Sequence, residues 1–448
     1  MENADLIALV YAVPHYQQRA WNAIKANSRY VAPACSVDED KVEYGRRDRV
    51  GTEPPEDAKV PGHLSLPRLE IKFSDIPRTS YGIIFGCDPN SDVVLPNIKG
   101  ISKHHFSITF DDANRLIIRD WGSLLGTQVT YDRQGCGKRS NFRWIIGGHR
   151  NIEAILNIQI AVHKTVEFRV IVAHHRIIST EYIEKVHRFR RGTATAEDLF
   201  RDLALPHRPV TEVPTGAHTP SGEEIHLQKK IGEGSFGVVT HFWNVSDGSE
   251  YALKEPTARA IRKRAVNYEA WDKEARIMGQ ISHPHIVRLF KASFTPHPQL
   301  FLAYAPAGSL EDHDSITADE TISILQQCLS ALTYLHESKP PVVHRDIKPG
   351  NILVQRRDPC DIYVVFGDFG MARDSYELST ICGSQLYLAP EIYLQWQAIQ
   401  SSAQTRKKYS PAVDVWSLGV VVYELICSLP RRSSSIQKDG PTPWGNLY

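Results

Sequence analysis

Two short runs hold residue types suited to moving a phosphoryl group. One is His344-Arg345-Asp346-Ile347-Lys348-Pro349-Gly350-Asn351; the other is Asp368-Phe369-Gly370. Asp346 can accept the proton of an attacking hydroxyl, and Lys348 can steady the moving γ-phosphate. Asn351 and Asp368 are oxygen ligands of the kind that hold Mg²⁺ against a triphosphate. Upstream, Ile231-Gly232-Glu233-Gly234-Ser235-Phe236-Gly237-Val238-Val239 reads as a glycine-rich hairpin. Its backbone can approach phosphates where side chains would collide. Glu250-Tyr251-Ala252-Leu253-Lys254 reads as a strand whose lysine suits the α- and β-phosphates, and a helix from about Asp272 to Gln280 carries Glu274. Taken alone, the hairpin equally suits a dinucleotide, Lys254 is a strand-edge lysine and Glu274 a solvated helix charge. Their order along the chain favours phosphoryl transfer.

The order continues through His283-Pro284-His285-Ile286-Val287, Ala389-Pro390-Glu391 and Asp414-Val415-Trp416-Ser417-Leu418-Gly419. With these the C-terminal half resembles the protein kinases. The resemblance implies ATP and Mg²⁺ as cofactors and protein substrates as partners. Asp346, Lys348 and Asn351 are then catalytic, Asn351 and Asp368 ligate metal, and Glu274 pairs with Lys254. The hairpin 231–239 covers the nucleotide. Ala252 and Leu353 sandwich adenine, Leu302 is the gatekeeper, and the backbone of Ala303 and Ala305 bonds the adenine edge. For Ala252, Leu302 and Leu353 plain core packing is the competing reading. Lys348 resembles the serine/threonine rather than the tyrosine kinases. Leu378-Ser379-Thr380-Ile381-Cys382-Gly383-Ser384 resembles the activation loop of checkpoint kinases, with Ser379 and Thr380 as phosphate acceptors that would pair with Arg345.

Between Leu66 and Val172 the pattern changes. Short β-branched and aromatic runs recur, among them Leu69–Phe73, Phe106–Phe110, Ile158–Val162 and Phe168–Val172, separated by turn residues such as Asp88-Pro89-Asn90. That spacing predicts a β-sandwich. Phe85-Gly86-Cys87-Asp88, Ile101-Ser102-Lys103-His104-His105-Phe106 and Asp120-Trp121-Gly122-Ser123-Leu124-Leu125-Gly126-Thr127 resemble the forkhead-associated (FHA) domain. That family grips phosphothreonine with loops at one end of the sandwich. Here Cys87 stands where the family has the phosphate-reaching arginine, and Leu124-Leu125 replace a Thr/Ser-Asn pair. Ser102 and Lys103 remain as a hydroxyl and a charge. Losing a charge-assisted phosphate contact costs about 2–5 kcal/mol. The expectation is therefore a docking module with degenerate phosphopeptide recognition.

The 448 residues exceed one core. A 42% hydrophobic and 23% charged composition is that of an ordinary globular chain. A net charge of +1 favours neither nucleic acid nor a membrane surface. Seven cysteines without a CxxC pair fit reduced thiols, so a cytoplasmic or nuclear location is expected. The predicted fold class is multidomain: an all-β sandwich, then an α+β bilobal kinase fold with an incomplete C-lobe. The expected divisions are 1–65, an N-terminal segment with a short docking helix, then a flexible linker; 66–174, the sandwich; 175–224, a second linker, helical in part; and 225–448, a shortened kinase domain. That shortening would leave Glu391 buried without its arginine and expose Val420, Val421 and Leu425 on the apolar helix 413–429.

Overall fold

The computed structural model describes residues 4–13, 18–32, 67–193, 224–234, 237–359, 361–374, 385–392 and 410–427. The chain divides into two compact units: Met1–Leu227 with Trp243–Ser249, and Gln228–Phe242 with Glu250–Tyr448.

Eleven strands build the first unit: β1 (Leu6–Ala12), β2 (Tyr30–Val31), β3 (Arg68–Lys72), β4 (Ile83–Gly86), β5 (Val93–Val94), β6 (Phe106–Phe110), β7 (Leu116–Asp120), β8 (Gln128–Tyr131), β9 (Arg143–Ile145), β10 (Ile158–His163) and β11 (Val166–Val172). One sheet has the order β2-β3-β1-β11-β10-β8 and the other β5-β4-β6-β7-β9. Alternation decides which residues enter the core. Ile158, Ile160 and Val162 of β10 and Val166, Phe168 and Val170 of β11 are buried, while their neighbours are not. The sheets meet through Phe85, whose ring lies 6.0 Å from Phe168 and 4.4 Å from Phe106.

The N-terminal segment is more than a short helix. Its residues Leu6–Ala12 form β1, paired with β11 (Ala8↔Val172, Val10↔Val170) and with β3 (Leu9↔Glu70, Tyr11↔Arg68). The physical reason is the run Leu6-Ile7-Ala8-Leu9-Val10-Tyr11: Ile7, Ala8, Val10 and Tyr11 are buried on both faces of the strand, so the polar alternation that would mark it is lost. The helix Gln18–Lys25 follows and buries Ala20, Ala23 and Ile24. Deleting residues 1–13 should strip the partner from the facing edges of β3 and β11. The expected result is aggregation and loss of the cooperative melt of this unit, measured by calorimetry on the full chain.

The expected second linker is corrected likewise. Helix Thr180–Arg191 starts at Ser179, whose hydroxyl accepts from Tyr182 N–H, and ends at Gly192 with φ +70°. It buries Tyr182, Val186 and Phe189. Tyr182 and Phe189 stand edge-on to Phe73 at 5.7 and 6.4 Å. The 3.6-residue spacing of those apolar groups made the helix legible but not its docking. The rest of that linker, and the stretch 35–65, lie outside the described residues.

The second unit opens with β12 (His226–Gly234), β13 (Gly237–Asn244), β14 (Glu250–Glu255), β15 (Leu289–Ser293) and β16 (Gln299–Leu302), in sheet order β12-β13-β14-β16-β15. Helix Tyr268–Gln280, capped by the Asn267 side chain on Ala270 N–H, buries Trp271, Glu274, Ala275, Ile277 and Met278. A helical layer follows, built on Ala318–Glu337 and Ala412–Cys427. Between them run β17 (Val342–Val343), the hairpin β18 (Ile352–Asp358) and β19 (Asp361–Phe366), and β20 (Arg373–Asp374), which pairs with β17. Among the described residues no helix is long and apolar enough to cross a membrane.

Helix Ala412–Cys427 corrects two expectations. Val420 and Val421 are buried, 7% and 0% exposed. The apolar groups left outside are Val415, Tyr423 and Ile426. Helical periodicity explains this, since 414, 418 and 421 share the core-facing stripe. Glu391 is exposed rather than buried, so it carries no desolvation cost that an arginine must offset.

Candidate active site and the loop cluster of the sandwich

Lys254, 4% exposed on β14, lies at the centre of the second unit's polar cluster. Its Nζ donates to Glu274 Oε1 and to Asp368 Oδ1, both at 2.7 Å. Helix Tyr268–Gln280 supplies Glu274, and the turn after β19 supplies Asp368. Burial presses Lys254 toward its neutral form, but Glu274 and Asp368 outweigh it and hold the ammonium charged. Burial likewise opposes ionisation of Asp368, and Lys254 overcomes it, so this carboxyl sits below its usual range. Glu274 is pushed up by burial, only partly offset by Lys254. The result is one cation shared by two carboxylates, with Asp368 the more firmly ionised.

A second group forms on the loop from His344 to Asn351. Lys348 Nζ donates to Asp346 Oδ2 at 2.9 Å, and Asn351 Nδ2 donates to the same oxygen at 2.8 Å. Asn351 Nδ2 also reaches the Asp346 carbonyl at 2.7 Å. The amide nitrogen is thus spent on Asp346, and the amide oxygen is the atom with which Asn351 can ligate a cation. His344 Nε2 donates to the Gly367 carbonyl at 2.9 Å, tying this loop to the turn that carries Asp368. Arg345 (φ +73°) and Asp368 (φ +54°) hold left-handed backbone that non-glycine residues avoid. Such strain persists only where surroundings over-determine it.

Asp414 is what holds Arg345, and sequence reasoning gave it no role. Fully buried, it accepts from His344 N–H at 2.9 Å, Arg345 N–H at 2.8 Å and His336 Nε2 at 2.9 Å. The available signal was a lone carboxylate inside an apolar run, which burial makes costly unless it is fully bonded.

The remaining expected residues divide by position. Ala252 pairs with Leu302 across β14 and β16, and both are buried. Leu353 is partly buried against the same core. Ala303 N–H already donates to the Arg288 carbonyl at 2.8 Å, so only the Ala303 carbonyl can serve a ligand edge. Ile231, Gly232, Glu233 and Gly234 end β12; Glu233 is paired with Lys230, and Ile231 is exposed. Gly237, Val238 and Val239 begin β13. A Cβ at Gly237 would lie 2.3 Å from the Glu255 carbonyl, so that glycine is required by close approach. Ser235, Phe236, Ser379 and Thr380 lie outside the described residues. The donor set fits a Mg²⁺-bound triphosphate: one buried ammonium, a firmly ionised carboxylate and an amide oxygen, with phosphate and water left to complete a Mg²⁺ shell.

In the first unit the loops after β4, before β6 and after β7 converge. Leu124 N–H donates to Ser102 Oγ at 3.1 Å, and Cys87 Sγ to the Ile101 carbonyl at 3.4 Å. Lys103 is exposed. Leu124 and Leu125 are 78% and 50% exposed. Asp120 braces the cluster from inside, accepting from Ser123 Oγ and Thr127 Oγ1, each at 2.6 Å, and from three backbone N–H groups.

His105, 0% exposed, accepts from Ser102 N–H through Nδ1 at 3.1 Å. Burial pushes its pKa from 6.5 down to about 4; Asp120 opposes this and Lys138 adds to it. The unfolded chain therefore takes up this proton first. The associated stability is whole above pH 6.5 and drains as pH falls toward about 4, by on the order of 3 kcal/mol. Melting curves across that window should show the loss, and His105→Gln should flatten it. His149, also lowered to about 4 by burial, contributes the residual slope.

The protein kinase domain family matches residues 225–439 and the FHA domain family residues 83–139. A probable myosin light chain kinase of Dictyostelium discoideum is 33% identical over 244 residues, covering 50% of this chain and 73% of that protein. The serine/threonine-protein kinase RAD53 of Saccharomyces cerevisiae is 26% identical over 397 residues, 84% of this chain and 45% of its own length. A crystal structure of Rad53 1–466 in complex with AMP-PNP superposes with a TM-score of 0.50 at 20% identity, covering 96% of this chain and 85% of that one, which supports the fold. The chain spans less than half the length of most of the curated relatives it matches. On the match to the Dictyostelium kinase, and with both domain families in place, the chain belongs to the protein kinases and carries an FHA domain ahead of the kinase domain.

Proposed function

We propose that the chain is an ATP- and Mg²⁺-dependent kinase of protein serine and threonine residues, with the FHA domain as a docking module. The observation that carries the reading is Lys254 bonded at once to Glu274 and Asp368, which fixes β14, the helix behind it and the metal-ligand turn in one arrangement. When bound, Mg²⁺·ATP supplies the transferable phosphoryl group and neutralises its charge. Lys254 then grips the α- and β-phosphates, and Asp368 with the Asn351 oxygen holds the cation. Asp346 orients the substrate hydroxyl and accepts its proton at the carboxylate. Lys348, already on that carboxylate, is placed to steady charge on the group in transfer. Ala252, Leu302 and Leu353 form the apolar walls for adenine.

Similarity to RAD53 supports checkpoint-type signalling in the cytoplasm or nucleus, with protein substrates and a phosphoprotein or docking partner. The experiment is transfer from radiolabelled ATP to degenerate peptides, each presenting serine, threonine or tyrosine alone. Incorporation confined to serine and threonine supports the reading; incorporation into tyrosine alone overturns it. Cys87 and the exposed Leu124 and Leu125 favour one further point: the loop cluster binds phosphothreonine weakly, and its docking is chiefly apolar.

A further inference from the structure

Trp271 stands one turn before Glu274 on the helix Tyr268–Gln280, on the buried stripe that also holds Ala275 and Met278. Packing alone would accept any large apolar side chain at this position. The indole that occupies it, 9% exposed, touches two of the elements expected to grip the nucleotide. Lys254 Nζ lies over its face, 5.6 Å from the ring centroid. Its edge meets the foot of the glycine-rich hairpin, where a Cβ placed on Gly237 would come within 3.3 Å of Trp271 Cη2. Gly237 is itself pressed against β14, since the same Cβ would lie 2.3 Å from the Glu255 carbonyl. One ring thus sits between the helix that carries Glu274, the ammonium of Lys254 and the start of β13.

The charge pattern gives that ring a use beyond filling space. Lys254 has two anionic partners, Glu274 and Asp368, each at 2.7 Å. To grip phosphates, Nζ must loosen its bond to Asp368, the carboxylate assigned to the metal. A third carboxylate beside Nζ would keep the ammonium in place but would repel a triphosphate. An aromatic face attracts the ammonium and carries no net charge, so it holds Lys254 without that repulsion. We propose that Trp271 is a positioning residue for Mg²⁺·ATP: its face steers the Lys254 ammonium to the phosphates, and its edge sets the foot of the hairpin against that ammonium. The inference rests on the reading of Lys254 as the ligand of the α- and β-phosphates. Trp271 itself touches no nucleotide; it acts through Lys254 and Gly237.

The test is calorimetric titration of the full chain with Mg²⁺·ATP, with Trp271→Phe and Trp271→Met beside the parent, and steady-state transfer to a serine/threonine peptide pool. Methionine fills a gap of this kind without a ring face, and phenylalanine keeps the face. Trp271→Met should weaken ATP binding about tenfold, and Trp271→Phe should recover most of that loss. The KM for peptide should stay within about twofold of the parent in both. A residue that only filled space would cost the two variants alike, so equal ATP affinities in Trp271→Phe and Trp271→Met would overturn the proposal. If Trp271→Met melts early, tryptophan emission decides: saturating Mg²⁺·ATP should shift the parent's spectrum, and Trp271→Phe should lose that shift. An undiminished shift in Trp271→Phe would overturn the proposal. The kinase reading fails separately. A parent chain that binds Mg²⁺·ATP without transferring phosphate sinks that reading alone, and the ATP affinities of the two variants still decide this one. A parent chain that binds no Mg²⁺·ATP overturns both.

Discussion

Lys254→Ala should abolish phosphoryl transfer and lower the stability of the second unit by about 3–5 kcal/mol. Both effects come from one atom. Nζ is the only cation hydrogen-bonded to Glu274 and Asp368 among the described residues, and Glu274 is 4% exposed. Removing it leaves a buried carboxylate with no compensating charge. Glu274 already has a raised pKa, so it will take up a proton and hold the loss toward the lower end of that range. For a unit of this size the melting temperature should fall by roughly 10 °C. The double variant Lys254→Ala/Glu274→Leu separates the roles: only Asp368, whose side chain is 29% exposed, then keeps an uncompensated charge, so part of the melting temperature should return while transfer stays absent. Full stability in the single variant would show that the pair is not buried as described. Transfer within about tenfold of the parent would show that Lys254 does not grip phosphate.

Asp414→Ala should be nearly as damaging, although Asp414 belongs to neither catalytic run. Its carboxylate takes the N–H groups of His344 and Arg345 and the His336 ring, and Arg345 is the residue held at φ +73°. Without that acceptor two buried N–H groups lose their partner, at about 1–3 kcal/mol each. The Arg345 backbone can then relax toward ordinary φ and carry Asp346 with it. A displacement of about 1 Å at a catalytic group costs on the order of 100-fold in rate. The expected signature is a fall in kcat of that order with little change in ATP affinity, because Lys254 and Asp368 are untouched. Calorimetric ATP titration beside steady-state kinetics reads both. A variant that loses ATP binding but keeps kcat would assign Asp414 to the nucleotide side instead.

Much of this site could be read from the chain because phosphoryl transfer needs particular side chains at particular spacings. His344–Asn351 and Asp368–Gly370 are local in sequence and close in space. The sandwich strands from β3 to β11 were also visible, as short β-branched and aromatic runs separated by turn residues. Three features were hidden for stated reasons. Strand β1 is buried on both faces and so reads as an apolar run that could equally be helix, with its partners β3 and β11 far along the chain. The role of Asp414 depends on a contact across about 70 residues of sequence, which no local pattern encodes. The bond that occupies Ala303 N–H involves a carbonyl, and carbonyls are invisible to residue type. Glu391 shows the opposite error: a residue assigned by its motif to a buried pair is exposed among the described residues.

Single-turnover transfer from radiolabelled Mg²⁺·ATP to a serine/threonine peptide pool, with the parent chain beside Asp346→Asn, bears most directly on the central claim. The asparagine keeps the shape of Asp346 and an oxygen for Lys348 but cannot accept the substrate's proton. The account predicts that the rate falls about 1,000-fold while ATP affinity stays within about twofold of the parent. Equal rates in the two proteins would contradict it, because phosphoryl transfer would then not run through Asp346.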